Sequence, residues 1–200
     1  MSSVAATHEM GLIKLPPPQW ERAAPLLKLL TKRSSSRDFS PRALSPVVVS
    51  TLLWAAFGIN RHETGGRTAP SAHNWQEIEV FAVLAQGAYR YDGATHVLRL
   101  AKTGDLRTLT GVQDFVGNAP LNLVYVADFA KMVDATDEQR TFFASADAAV
   151  IAQNVYLFCS CTDLATVVRG LVDRRKLAPA LGLHARERIV LAQTVGYPAS

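Results

Sequence analysis

Two arginines and three serines fall within five residues at Arg33-Ser34-Ser35-Ser36-Arg37. A guanidinium is a planar fork of donors that matches phosphate oxygens. Serine hydroxyls and backbone N–H groups can complete a cradle around such an anion. A second segment, Pro70-Ser71-Ala72-His73-Asn74-Trp75-Gln76, mixes small residues with side-chain amides. Small residues let a backbone approach a flat ligand, and Asn and Gln read the amide-like edge of a heterocycle. A third, Leu164 to Gly170, is an apolar run that ends in an Arg-Gly step. Each segment alone also fits a plainer reading: a solvated linker or kinase recognition site, a loop capped by Asn74, and a helix-to-strand connection with a surface arginine.

Other chemistries find no motif. Gly-x-Gly-x-x-Gly, the P-loop and Gly-x-Ser-x-Gly do not occur, so neither a Rossmann pocket nor a nucleophile elbow is expected. The five histidines are far apart. Cys159 and Cys161 share one apolar helical stretch, and residues two apart on a helix point to different sides. Buried, reduced thiols are predicted, with no disulfide and no metal site. The net charge is +4, but the basic residues are scattered. The longest basic run, Arg174-Arg175-Lys176, has no interleaved aromatics and reads as a solvated helix face, not a nucleic-acid surface. No run reads as membrane-spanning. The stretch from Met1 to Met10 lacks a basic region followed by an apolar one, so no signal peptide is expected and the cytoplasm is the expected compartment.

The elements that must hold these segments are legible. With 200 residues and 48% apolar content, one core and one domain are expected. Residues 1–20 read as an extended arm, because Pro16-Pro17-Pro18 forbids helix, and residues 21–200 as a single domain. Residues 21–32 have helical spacing. Ser45 and Pro46 open a buried helix, Val47 to Phe57, with Gly58 as a left-handed stop. Asn60 to Asn74 reads as a long loop. Ile78–Ala85, Ala88–Tyr91 and His96–Ala101 form a meander turned at Gln86-Gly87 and Asp92-Gly93. Leu121–Ala127 and Ile189–Val195 are strands, and Leu171–Leu181 is helical with a break near Pro179. Glu138–Cys161 is a helix apolar on several sides, hence central or covered by a partner subunit. Meanders with long helices and no βαβ alternation define an α+β protein.

Taken in order, the segments resemble the nitroreductase superfamily. Arg33-x-Ser35-x-Arg37 followed by Phe39 is similar to its opening motif, and Pro70 to Gln76 to its second flavin motif. Gln153-Asn154-Val155-Tyr156-Leu157, Leu164 to Gly170 and Gly196-Tyr197-Pro198 fall where its central helix, flavin-edge loop and last strand belong. The variant most similar is the SagB-type dehydrogenase branch, through Leu53-Trp54-Ala55-Ala56-Phe57-Gly58-Ile59-Asn60-Arg61 and Gly87-Ala88-Tyr89-Arg90-Tyr91-Asp92.

The resemblance implies a central, mainly antiparallel sheet flanked by helices, and a homodimer with FMN at the interface, driven by NAD(P)H. Arg33 would bind the phosphate or ribityl chain, helped by Ser34 and Ser35. Arg37 would face the ring edge where negative charge develops on reduction. Pro70, Ser71, Ala72 and Asn74 would come from the partner, and Val168, Arg169 and Gly170 would lie near the reactive edge. Many relatives carry basic phosphate ligands after the last strand, and Arg174 or Arg175 would substitute for them here. Some relatives have an acidic residue where Arg169 stands, so Arg37 and Arg169 are the flavin-tuning candidates. The implied activity is ping-pong reduction of a flat, electron-poor acceptor, nitroaromatic or quinone-like, with no side-chain catalyst. The alternatives are SagB-like oxidation of azoline-type rings and a flavin-binding module without turnover.

Overall fold

The computed structural model describes residues 8–9, 11–19 and 24–199. Two short strands, β1 (His8–Glu9) and β2 (Leu12–Lys14), precede the helices α1 (Leu26–Lys32) and α2 (Pro46–Phe57). A small hairpin follows, β3 (Ile59–Arg61) with β4 (Gly66–Arg67). The meander is β5 (Ile78–Leu84), β6 (Gly87–Asp92) and β7 (Val97–Thr103). Then come β8 (Leu121–Asp128), α3 (Asp137–Thr162), β9 (Ala165–Arg169), α4 (Arg174–Ala180) and β10 (Glu187–Gly196). Eight strands form one sheet in the order β1-β2-β7-β6-β5-β8-β10-β9. Every pairing in it is antiparallel. This is the α+β architecture expected from the meander and the absence of βαβ units.

The central strands are apolar at nearly every position because both faces are covered. On one face Val80, Ala82, Leu123 and Tyr125 pack with α2 and α3. On the other, Phe81, Val83, Val124 and Val126 pack with Leu177 and Leu181 of α4 and its C-cap. The N-terminal arm is sewn onto the first face. Ser50 Oγ donates to the Pro16 carbonyl, so it must accept from His96 Nε2 at 2.8 Å, leaving His96 Nδ1 to accept from Tyr91 O–H at 2.9 Å.

Several expectations are corrected. The break between Phe57 and Ile59 is not left-handed: Gly58 has φ −71° and ψ 164°. Glycine is needed there because a Cβ would sit 2.5 Å from Trp54 Cδ1. The long loop after Asn60 contains the β3–β4 hairpin. Pro179 lies inside α4 and does not break it early. Arg174 is exposed like Arg175 and Lys176, but it is not only a surface charge: its Nε and Nη2 donate to the carbonyls of Ile189 and Val190 at 2.9 and 2.8 Å, clamping β10. Finally, α3 is long and apolar enough to cross a membrane by length and composition. Its buried side, including Ala148, Ile151 and Val155, instead belongs to the core shared with α2 and the sheet. Of the predicted helix 21–32, residues 21–23 lie outside the described residues.

Candidate functional site

Residues 33–40 run along the open edge of the sheet because β9 is its last strand. Ser36 N–H donates to the Thr166 carbonyl at 3.0 Å, Ser40 N–H to the Tyr197 carbonyl at 2.9 Å, and Phe39 bridges Pro198. This alignment brings two predicted segments together, and Tyr156 of α3 is the joint. Its hydroxyl accepts from Val168 N–H at 3.0 Å and meets Ser35 Oγ at 2.8 Å. Its own proton is therefore free to go to Ser35. The Arg33 guanidinium stands 5.4 Å from the Tyr156 ring centroid. Ser34, Tyr156 and Thr166 line a cavity of about 110 Å³ alongside.

Arg33 and Arg37 are exposed. Among the described residues neither pairs with a carboxylate, whereas Lys32 next to them reaches Asp163 at 3.7 Å. Two unpaired cations beside hydroxyls on a sheet edge suit an anion.

Arg169 is a different case. It is 5% exposed. Strand alternation turns its side chain away from α3. There Nη1 donates to the Thr110 carbonyl at 2.8 Å, Nη2 to Asn122 Oδ1 at 3.1 Å and Nε to Thr194 Oγ1 at 3.1 Å. Burial lowers its pKa to about 10, so it stays charged at neutral pH. A Cβ at Gly111 would collide with this guanidinium. Its donors are committed to the fold, while Gly170 beside it is exposed.

The second predicted segment sits elsewhere. A 3-10 turn at Ala72–Asn74 follows Pro70 and Ser71, and His73, Asn74 and Gln76 all have positive φ, at 50°, 54° and 48°. Each such non-glycine residue stores about 1–3 kcal/mol of strain. A dense set of bonds holds the turn. Gln76 N–H donates to Ser71 Oγ at 2.8 Å, Ala72 N–H to Asp147 Oδ2 at 2.8 Å, and Arg67 Nε to Gln76 Oε1 at 2.7 Å. Asn74 Oδ1 accepts from Gln76 Nε2 at 3.1 Å.

Asp147 and Tyr156 are the anchors of the two regions, and both are on α3. Nine residues of helix separate them by about 13.5 Å along the axis and by about 180° around it. They lie at the two flanks of the buried side, so one chain does not bring the turn to the Arg33–Ser35–Val168 cluster. Tyr156, Asp147 and Glu77 were absent from the sequence-predicted set. The available signal was a hydroxyl and a carboxylate on the buried side of an apolar helix, where polar atoms need partners.

Fold and site together define a class: an antiparallel α+β chain with an exposed arginine- and serine-rich edge, a strained amide-rich turn and a long helix joining them. A profile of the nitroreductase family matches residues 30–197. A provisionally named nitroreductase from Ralstonia eutropha JMP134 has a crystal structure that superimposes with a TM-score of 0.90 at 44% identity, covering 95% of this chain and 90% of that one. A provisionally named nitroreductase of Methanocaldococcus jannaschii is 27% identical over 152 residues, which is 71% of this chain and 76% of that protein. The same fold occurs in a nitroreductase-like protein of Desulfovibrio desulfuricans, crystallised with FMN, at a TM-score of 0.64 and 22% identity, covering 89% of this chain and 88% of that one. The chain belongs to the nitroreductase family.

Proposed function

We propose that the chain is an NAD(P)H-driven FMN oxidoreductase and works as a homodimer. Each site would take Arg33, Ser34, Ser35, Arg37 and the backbone of Val168, Arg169 and Gly170 from one subunit. Pro70, Ser71, Ala72 and Asn74 would come from the other. The observation that carries this reading is the placement of the two anchors, Tyr156 and Asp147, on opposite flanks of α3. A second copy can supply the missing half, and an uncovered apolar strip on the same helix gives it a place to sit. Phe142 is 66% exposed and Val150 38% exposed there. Ala146 and Ala149 are exposed between them. On α1, Leu26 and Leu27 are also uncovered.

The residues present fit the cofactor. Arg33 offers a bidentate donor to a phosphate, Ser34 and Ser35 add hydroxyls, and the turn at Ala72–Asn74 presents small side chains to a flat ring. Bound FMN supplies two-electron chemistry between a nicotinamide donor and a flat, electron-poor acceptor, nitroaromatic or quinone-like. Arg37 would hold positive charge at the ring edge, and Tyr156 keeps Ser35 and Val168 in place. Arg174 is spent on β10, so of the two substitutes weighed for the phosphate Arg175 is the one left in this reading. The cytoplasm is the proposed compartment.

Purified protein should carry about one FMN per subunit, run as a dimer burying more than ~2,000 Å² and oxidise NAD(P)H with such an acceptor. A colourless protein that takes up no added FMN overturns the cofactor. An FMN-loaded monomer in light scattering overturns the shared site. FMN uptake without NAD(P)H oxidation would favour a binding module, and turnover only with azoline-type rings a SagB-like dehydrogenase.

A further inference from the structure

The turn at Ser71–Gln76 rests on a pair of carboxyl groups with no cation between them. Glu77 is 0% exposed and Asp147 7%. Glu77 Oε2 accepts from Ser71 Oγ at 3.1 Å, and Ser71 Oγ accepts from Gln76 N–H. Asp147 Oδ2 holds Ala72 N–H. Thus both carboxyls grip the start of the strained turn, Asp147 at Ala72 N–H and Glu77 at Ser71 Oγ, which in turn holds Gln76 N–H, and the two are in side-chain contact with each other. Glu77 Oε1 is buried with no hydrogen-bond partner. An orphaned buried carboxylate oxygen is costly, and two carboxylates in contact cannot both be charged cheaply. A proton on Glu77 removes both difficulties, because Oε1 can then donate to Asp147.

Among the described residues no cation is bonded to either carboxyl, and Arg67, the cation nearest in the turn's own bonds, is spent on Gln76 Oε1 and the Phe57 carbonyl. On α3, Arg140 pairs with Asp137 at 3.0 Å. From β5, Glu79 is taken by Arg90 and Lys131. In the turn, His73 stacks on Trp75, with ring centroids 4.4 Å apart, and meets Phe143 edge-on.

We propose that Glu77 is a positioning residue: it shares one proton with Asp147, and in that state the pair fixes the Ser71–Gln76 turn in the form that meets the flavin. The first half stands on the geometry of this chain alone; the second rests on the proposed function. Loss of the proton puts two negative charges in contact. It drives Glu77 from Asp147 and loosens their holds on Ser71 Oγ and Ala72 N–H, so the left-handed residues of the turn relax.

Burial, and then the nearness of Asp147, push the Glu77 carboxyl up to about 7 from its ordinary 4.5. The native state therefore binds this proton more tightly than the unfolded chain does. The stability it contributes is complete below 4.5 and is lost as pH rises through about 7.

The test compares wild type with Glu77→Gln, a neutral isostere that keeps a donor for Asp147. The melting temperature of the FMN-free protein and its FMN affinity are measured from pH 5 to about 8.5. In wild type both should fall across a midpoint near 7. The affinity loss should be about tenfold, the factor for a one-unit difference in pKa between free and bound forms. In Glu77→Gln the melting fall should vanish, and the affinity should fall only as far as the FMN phosphate dictates. The phosphate titrates in both complexes, so the difference between the two proteins is the readout. A wild-type melting transition that persists in Glu77→Gln overturns the shared proton. A transition that vanishes in Glu77→Gln while FMN affinity shows no Glu77-dependent fall overturns the positioning role. Should Glu77→Gln fail to fold, Asp147→Asn removes the neighbouring charge and must move the transition to lower pH; an unmoved transition overturns the pair. Protein that takes up no FMN at any pH overturns the flavin-positioning half along with the proposed function, and the melting curves still decide the proton.

Discussion

Arg33 and Arg169 lie on opposite sides of the same edge strand, and their surroundings could hardly differ more. Arg33 is exposed, is unpaired among the described residues and rests on the ring of Tyr156. Arg169 is buried and bonds to Thr110, Asn122 and Thr194, which tie β9, β8, β10 and the Arg107–Thr110 turn together. An arginine with partners on every side is part of the fold. An arginine kept in place without an anion is ready to receive one. The contrast separates two residues that a motif alone treats alike, and it predicts that their loss will be felt in different measurements.

The largest effect should come from the buried side. Arg169→Met takes a charged donor from three buried oxygens, of which Asn122 Oδ1 still meets Thr194 Oγ1, and should cost about 3–5 kcal/mol of unfolding free energy. Urea denaturation reads this, and FMN affinity in the surviving folded protein should change far less than stability. A variant as stable as wild type would erase the distinction between the two sides.

On the open side the pattern should reverse. Arg33→Ala should weaken FMN roughly tens- to thousands-fold with little change in the urea midpoint. Riboflavin, which lacks the phosphate, should lose much less. Equal losses for both ligands would remove Arg33 from the phosphate. Arg37→Ala belongs to the same side and should instead lower the two-electron potential, by on the order of 30 mV for 1.4 kcal/mol. An unchanged potential in anaerobic titration would mean that Arg37 does not face the ring.

The smallest effect should fall at the joint. Tyr156→Phe keeps the ring under Arg33 but deprives Val168 N–H of its acceptor and Ser35 of its partner. About 1–2 kcal/mol of stability should go, with a loss of a few-fold in FMN affinity. Loss in only one of the two measurements would show that Tyr156 serves only one side.

Much of this was legible beforehand because it rests on local rules. Ser45 does cap α2, its Oγ accepting from Val48 N–H, and Pro46 does occupy the first turn. The meander strands fall within a residue or two of their expected places, since turns such as Gln86-Gly87 are encoded by neighbours. The hairpin β3–β4 was missed because its two strands are only three and two residues long, too short for a period to show. The clamp that the exposed Arg174 places on β10 was not legible because its carbonyl partners lie 15 and 16 residues away.

What the sequence determined by itself was therefore most of the longer elements, the α+β class and the three segments rich in ligand-type residues, each a matter of spacing, capping and composition. What only the tertiary structure decided was which of those residues meet. Val168 and Ser35 are brought to one hydroxyl, Arg169 is turned into the core, and the turn at Ser71–Gln76 is set on the far flank of α3 over Glu77 and Asp147. Burial and hydrogen-bond partnership across more than a hundred residues, as between Ser35 and Tyr156, depend on how sheet and helices pack, and no local pattern carries that information.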